Sequence, residues 1–159
     1  MHTEAKKVKD SLTYLTDLIL PADTNHYGTV FGGKVMAYVD KIAGIAAMRH
    51  CRKPVVTASG DSLDFHAPIK SGEAINLEAF VTWAHKTSMV VYVRVEGENL
   101  LTGERRLTSE AYLTMIAVDE EGRPSPVPAI IPETDLEISL YKRAEERYFE
   151  RKNKQNRQA

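Results

Sequence analysis

Between Asn25 and Arg49 the chain reads NHYGTVFGGKVMAYVDKIAGIAAMR, and no other stretch restricts its fold as much. Apolar residues at Val35, Val39, Ile42, Ala43 and Ala46 recur at helical spacing. The opposite face is scarcely more polar, because only Asp40 and Lys41 are charged between Val35 and Met48. A helix apolar nearly all round has to be covered on most of its sides. Ala37, Ala43, Gly44, Ala46 and Ala47 are small enough to let a sheet or a second helix come close. Asp40 is the exception within it. An ionised carboxylate in apolar surroundings is costly unless paired or hydrogen-bonded, so Asp40 is expected to be partly desolvated or to stand at a cleft.

The flanking sequence says what can cover such a helix. Residues 1–11 are polar and read as a flexible N-terminus. Leu12 to Leu20 reads as a first strand, ended by Pro21, and PADTNHYGT follows as a loop of turn-forming residues. The helix then runs to Arg52-Lys53-Pro54, where basic residues suit its C-terminus and proline cannot continue it. Val55 to Ile69 has strand character with a bulge expected at Gly60. Ala74 to Ala84 alternates, with Ile75, Leu77, Ala79, Val81 and Trp83 assigned to one face. Met89 to Glu96 does the same with Met89, Val91, Val93 and Val95, and Arg106 to Val118 is a third alternating strand. Residues 135–152 predict an amphipathic helix with Leu136, Leu140, Ala144 and Tyr148 on one face, and 153–159 a polar tail. Four successive strands joined by short turns predict an antiparallel meander. One apolar helix placed before it is buried only if the sheet wraps around it. The expected class is therefore α+β, with an edge strand free to pair with a second copy.

Charge narrows the partners. Lys plus Arg total 21 against 22 Asp plus Glu, which provides no field for nucleic acid or an anionic membrane. No signal peptide and no bilayer-length apolar run stand out, so a cytoplasmic location is expected. The single Cys51 excludes an intrachain disulfide. The five histidines show no metal-ligand spacing, and His66 and His85 read as ordinary strand residues. Nucleophile elbow, P-loop, dinucleotide fingerprint and H-E-x-x-H are all missing. What remains is Asn25, the Gly32–Gly33 pair and Asp40. Unpaired N–H groups at a helix start, with the positive end of the dipole, can hold a developing oxyanion. Glycine there lets a ligand approach the backbone. Asp40 is suited to act as general base or nucleophile, and Asn25 to hold a water or a carbonyl.

The run PADTNHYGTVFGGKVMAYVDKIAG, with its N-x6-G-G-x6-D spacing, resembles the signature of hotdog-fold acyl-CoA thioesterases, nearest to the bacterial and brain-type acyl-CoA hydrolases. VVTASGDSLDFHAPI, HKTSM and GRPSPVP followed by IPET extend the resemblance over roughly residues 12–150. Such a resemblance implies a hotdog domain over 12–134, a curled antiparallel sheet around one long central helix, followed by the C-terminal helix. It implies homodimers with a continuous sheet, often three to a hexamer. Asn25 and Asp40 would form the catalytic pair, with a backbone N–H near Gly32 or Gly33 polarising the thioester carbonyl. Phe31 stands where many relatives carry histidine, although the N–H donors do not depend on that side chain.

The reaction so implied converts acyl-CoA and water to a free acid and coenzyme A. No cofactor or metal is expected, coenzyme A being part of the substrate. Asp40 would activate water or attack the carbonyl directly. Lys86, Thr87 and Ser88, with Thr57 and Ser59, are candidate contacts to coenzyme A, since lysine offers charge and the hydroxyls hydrogen bonds. Two rival readings are weaker. A-D-T-N-H faintly resembles a hotdog hydratase loop but lacks its proline and following histidine. A non-catalytic acyl-CoA sensor would need a DNA-binding segment, for which eleven N-terminal residues are too few.

Overall fold

The computed structural model describes residues 4–158, with the side chains of 61, 62 and 158 left aside. In chain order it has β1 (Lys6–Lys7), a 3-10 turn (Val8–Ser11), β2 (Thr13–Leu18), α1 (Gly32–Cys51), β3 (Val55–Phe65), β4 (Ala74–His85), β5 (Ser88–Glu98), β6 (Arg105–Ala117), β7 (Ile130–Ile131) and α2 (Asp135–Gln158). Five strands form a curled antiparallel sheet in the order β2-β4-β5-β6-β3. This is the expected architecture with one change of neighbours. Strands β4, β5 and β6 make a meander, but β3 lies at the far edge beside β6 instead of next to β4. Helix length accounts for it. The 20 residues of α1 span about 30 Å, more than the ~19 Å across four strand spacings. The chain thus leaves the sheet at the β2 edge and re-enters at the other.

Helix α1 packs on the inner face against all five strands. Val35, Val39, Ile42, Ala43, Ala46 and Ala47 are buried there, facing Met89, Val91, Val93 and Val95 of β5. Each large side chain so buried contributes roughly 1.5–3 kcal/mol. Phe31 is the N-cap, and Arg52 closes the helix in a left-handed conformation (φ 56°), its N–H donating to the Met48 carbonyl at 2.7 Å.

Alternation in β4 holds from Ile75 to Val81 and then fails. A register shift between Val81 and Trp83 turns Trp83 to the outer face, where it meets Tyr148 of α2 at 5.0 Å between ring centroids. Gly60 pairs regularly with Leu113, and the irregularities of β3 lie on either side, between Thr57 and Ser59 and between Asp61 and Asp64. The expected flexible N-terminus is corrected for residues 6–11. Lys6 and Lys7 pair in parallel with Ile130 and Ile131, Val8 is buried, and the buried Ser11 hydroxyl accepts the Val81 N–H at 2.8 Å. Helix α2 also runs beyond 152, through most of the expected tail. Leu140 and Ala144 are buried, whereas Leu136 is 61% exposed and so lies off the packed face. Among the described residues no helix is long and apolar enough to cross a membrane.

Candidate active site

Loop 19–31 is tied internally before α1 begins. Asn25 Oδ1 accepts the N–H groups of Tyr27 (2.9 Å) and Thr29 (3.2 Å), and its Nδ2 donates to Thr29 Oγ1 at 3.0 Å. Gly28 supplies the positive φ of 78° that the turn needs. The Val30 N–H donates to the Ile69 carbonyl at 2.8 Å, and the Phe31 N–H to the Asp23 carbonyl at 3.0 Å. Asn25 therefore braces the loop. One of its two amide hydrogens has no acceptor among the described residues.

The helix start is bare. No described residue accepts from the N–H groups of Gly32 or Gly33, and the first helical bonds are those of Lys34 and Val35 to the Phe31 carbonyl. A Cβ on Gly33 would meet nothing within 4 Å, and one on Gly32 only the Phe65 ring at 3.5 Å. Glycine at these positions is not demanded by packing within the chain. Gly32 opens onto a cleft of about 370 Å³ with Phe65, His66 and Pro68 on its walls.

Of the two settings expected for Asp40, desolvation or a cleft, the structure has the second: Asp40 is exposed in this chain and borders a cleft. The sheet covers one side of α1 and leaves the row of Met36 and Asp40 open. Asp40 Oδ1 accepts a hydrogen bond from Thr57 Oγ1 on β3 at 2.7 Å. A cleft of about 290 Å³ lies beside it, lined by Met36, Thr57, Gly60 and Leu63. Around this open side lie exposed apolar groups: Met36 (57%), Phe65 (54%) and Phe31. Asp40 and Gly32, though on one helix, stand about 12 Å apart along its axis.

Five residues proposed for coenzyme A fall in three places. Thr57 belongs to Asp40. Ser59 and Ser88 share a cleft on the outer face of the sheet, under α2. Lys86 and Thr87 form the β4–β5 turn, with Lys86 in a left-handed conformation (φ 54°). Their carbonyls accept the N–H groups of Val127 (2.9 Å) and Ala117 (3.0 Å), which fastens the proline-rich segment. Ser88 Oγ donates to the His85 carbonyl at 3.1 Å. Sequence reasoning missed the cations opposite Ser59 and Ser88: Arg143, Arg147, Arg151 and Lys152. Their signal was visible as arginines four residues apart on one helix.

With this geometry in hand, comparison with known proteins gives a consistent result. A family model described as the thioesterase superfamily matches residues 27–104. The uncharacterized acyl-CoA thioester hydrolase YkhA of Bacillus subtilis (strain 168) is 48% identical over 151 residues, 95% of this chain and 88% of that protein. An apo-hexameric acyl-CoA thioesterase superposes with a TM-score of 0.91 at 54% identity, covering 95% of this chain and 97% of its own. The acyl-CoA hydrolase of Staphylococcus aureus, in complex with butyryl coenzyme A, coenzyme A and coenzyme A disulfide, gives 0.88 at 40% identity over 97% of this chain and 94% of its own. Structures of that Staphylococcus protein also exist with one asparagine, one aspartate or one threonine replaced by alanine. Its asparagine precedes the aspartate by fifteen positions and its threonine follows by seventeen, the spacings of Asn25, Asp40 and Thr57 here.

Proposed function

This chain belongs to the thioesterase superfamily as a hotdog acyl-CoA thioester hydrolase, and from that premise we propose that Asp40, Thr57, Asn25 and the N-terminus of α1 carry the hydrolysis, with each site shared between two subunits. Support for Asp40 as base comes from its one hydrogen bond. The Thr57 hydroxyl holds Oδ1 and fixes the carboxylate against β3, while no described residue occupies Oδ2. A water on Oδ2 loses its proton to the carboxylate as its oxygen attacks the thioester carbon. The carbonyl oxygen becomes an oxyanion, received by the unpaired N–H groups of Gly32 and Gly33 at the positive end of the helix. Collapse of the tetrahedral species breaks the C–S bond, and the proton held by Asp40 passes to the departing thiolate. The products are a carboxylic acid and coenzyme A. The remaining Asn25 amide hydrogen orients the water or the carbonyl.

Sharing between subunits is the reading that suits the open side of α1. A second copy laid there covers Phe31, Met36 and Phe65 and brings one subunit's Asp40 opposite the other's Gly32. Strand β3, an edge with Val56 exposed, extends the sheet across the dimer. Three such dimers would make a hexamer like that of the apo-hexameric relative. The observation that carries this reading is the Thr57–Asp40 pair beside an open cleft. Replacing Asp40 by Asn keeps shape and removes the base, so kcat in a thiol-release assay should fall ~100-fold or more. Near-parental turnover in a folded Asp40→Asn protein would end the assignment.

A further inference from the structure

Beside the bare start of α1 stands a buried hydroxyl without a partner. The inward-facing residues of β6 are Ala111, Leu113, Met115 and Ala117, all apolar and buried, and the next inward position is Ser109. Ser109 is 1% exposed, yet its Oγ has no hydrogen-bond partner among the described residues. A buried hydroxyl left unpaired is costly, and folded chains keep few of them. Alanine serves two residues further on, so packing alone does not call for serine here. A local break in the ladder sets the position. The β5–β6 register shifts so that Thr108 is an extra residue between Leu107, opposite Glu96, and Ser109, opposite Val95. Bulges of this kind re-aim side chains and are frequent beside active sites. Thr108 is itself satisfied: its Oγ1 donates to the Val95 carbonyl at 3.1 Å, and its carbonyl accepts the His66 N–H at 2.6 Å.

Its surroundings relate it to the reacting centre. Ser109 pairs in register with Phe65 of β3, whose ring comes within 3.5 Å of where a Cβ on Gly32 would lie. Ser109 and Gly32 line the same cleft of about 370 Å³, with Val30, Val35, Pro68 and Ile69 among its walls. Arg106 braces the turn beyond, donating to the Pro68 carbonyl at 2.7 Å and pairing with Glu73 at 2.7 Å. Most of the lining is apolar, the Thr108 hydroxyl is occupied, and His66 stands exposed at the rim. Ser109 is thus the polar group that the depth of the cleft keeps free. A thioester whose carbonyl oxygen meets the N–H groups of Gly32 and Gly33 extends an arm on either side. The pantetheine arm continues to a charged nucleotide and has to leave toward water, whereas the acyl arm ends and suits an apolar recess with one placed polar group. Resting on the thioesterase reading above, we infer that the acyl group lies in this cleft and that Ser109 selects acyl groups carrying a hydroxyl or oxo oxygen a few carbons from the thioester. Such an oxygen supplies the partner that the Ser109 hydroxyl lacks. A plain alkyl chain leaves it unpaired, and sites built to hydrogen-bond a substrate oxygen discriminate by that penalty.

Thiol release from 3-hydroxybutyryl-CoA and from butyryl-CoA, which differ by one oxygen, tests this. In the unmodified protein kcat/KM for the better enantiomer of the hydroxy substrate should exceed that for butyryl-CoA by about 3- to 10-fold, the range of one neutral hydrogen bond. In Ser109→Ala that ratio should fall to about one. Ser109→Thr keeps the hydroxyl and should hold the ratio above that of Ser109→Ala. The Tm of Ser109→Ala should not fall below the parent's, because no bond within the protein is lost. A parental ratio at or below one overturns the inference, as it would if the hydroxyl merely held a water. A ratio equal in Ser109→Ala and parent overturns it as well. So does a lowered Tm with equal losses on both substrates, which would assign the hydroxyl to a structural bond. If the unmodified protein releases thiol from neither substrate, it is the thioesterase reading that fails.

Discussion

A mixture of two dead proteins tests the shared site most sharply. Gly32 and Asp40 are eight residues apart on α1, about 12 Å at ~1.5 Å per residue. A thioester carbonyl has to touch the N–H donors while its attacking water, ~3 Å away, touches the carboxylate. The Asp40 side chain does not bridge that distance along its own helix, and its bond to Thr57 at 2.7 Å pulls it toward β3 instead. A partner helix running antiparallel across a two-fold axis removes the difficulty, because each Asp40 then faces the other chain's Gly32 and Asn25. Asn25→Ala and Asp40→Ala proteins are each expected to be inactive alone. In a mixed dimer one site keeps both residues and the other loses both. Equal mixing with free exchange makes about half the dimers mixed, each with one working site of two, so roughly a quarter of parental activity should return. Thiol release measures it, and mass spectrometry of differently tagged chains verifies exchange. Exchange without recovered activity would place Asn25 and Asp40 in one chain's site and refute the reasoning.

Thr57→Val removes the hydroxyl that fixes Asp40. At roughly 1.5–3 kcal/mol for a hydrogen bond to a charged group, kcat should drop about 10- to 100-fold, while Thr57→Ser stays near the parent; equal activity in all three would remove Thr57 from the mechanism. Ser11→Ala orphans the buried Val81 N–H and should destabilise by roughly 1–3 kcal/mol, lowering Tm by about 2–4 °C for each. His50 is fully buried, its Nε2–H donating to the Pro128 carbonyl at 2.7 Å while Nδ1 has no partner among the described residues. Burial holds its imidazole below the ordinary value, more strongly than the carbonyl pulls the other way. The unfolded chain then takes up a proton near pH ~6.5 that the folded one refuses, so stability is full above that pH and falls by up to ~1.4 kcal/mol per unit below it. Denaturant unfolding at pH 7 and 5.5 should show this loss in the parent and a smaller one in His50→Gln; parallel losses would exclude His50 as the source.

The parts of the fold legible in the sequence were those set by local periodicity. The apolar run of α1 and the alternation of β5 place Val39, Ile42, Val91 and Val93 in the core as read. Strand order was not legible, since the position of β3 beside β6 follows from how far α1 carries the chain across the sheet. Nor was Trp83, because one extra residue in β4 reverses a face that strict alternation assigns inward. At the site, Asp40 and the glycine pair were legible as chemical anomalies. The Thr57 contact was not, for it joins a helix and a strand seventeen residues apart, and nothing in VVTASG marks which hydroxyl turns inward. The arginine stripe of α2 escaped notice because charged residues on a long polar helix ordinarily face solvent. Only the sheet beneath Arg147 gives them a cleft.

Those same anomalies argue for the oligomer more strongly than any single contact. A lone subunit leaves several local preferences unmet: two glycines whose missing side chains make room for nothing, Phe31, Met36 and Phe65 in water, and an unpaired edge at β3. Each has a separate ordinary explanation, and natural chains tolerate one or two such conflicts. Here all of them border the same open side of α1. A second copy placed there covers the apolar groups, pairs the edge and encloses Asp40 beside a helix start that has N–H groups to spare. Enclosure also raises the strength of both interactions, because water screening is removed where charge develops. On the proposed shared site, assembly and catalysis depend on the same surface, so a substitution that separates the subunits should abolish turnover even where every catalytic side chain is intact.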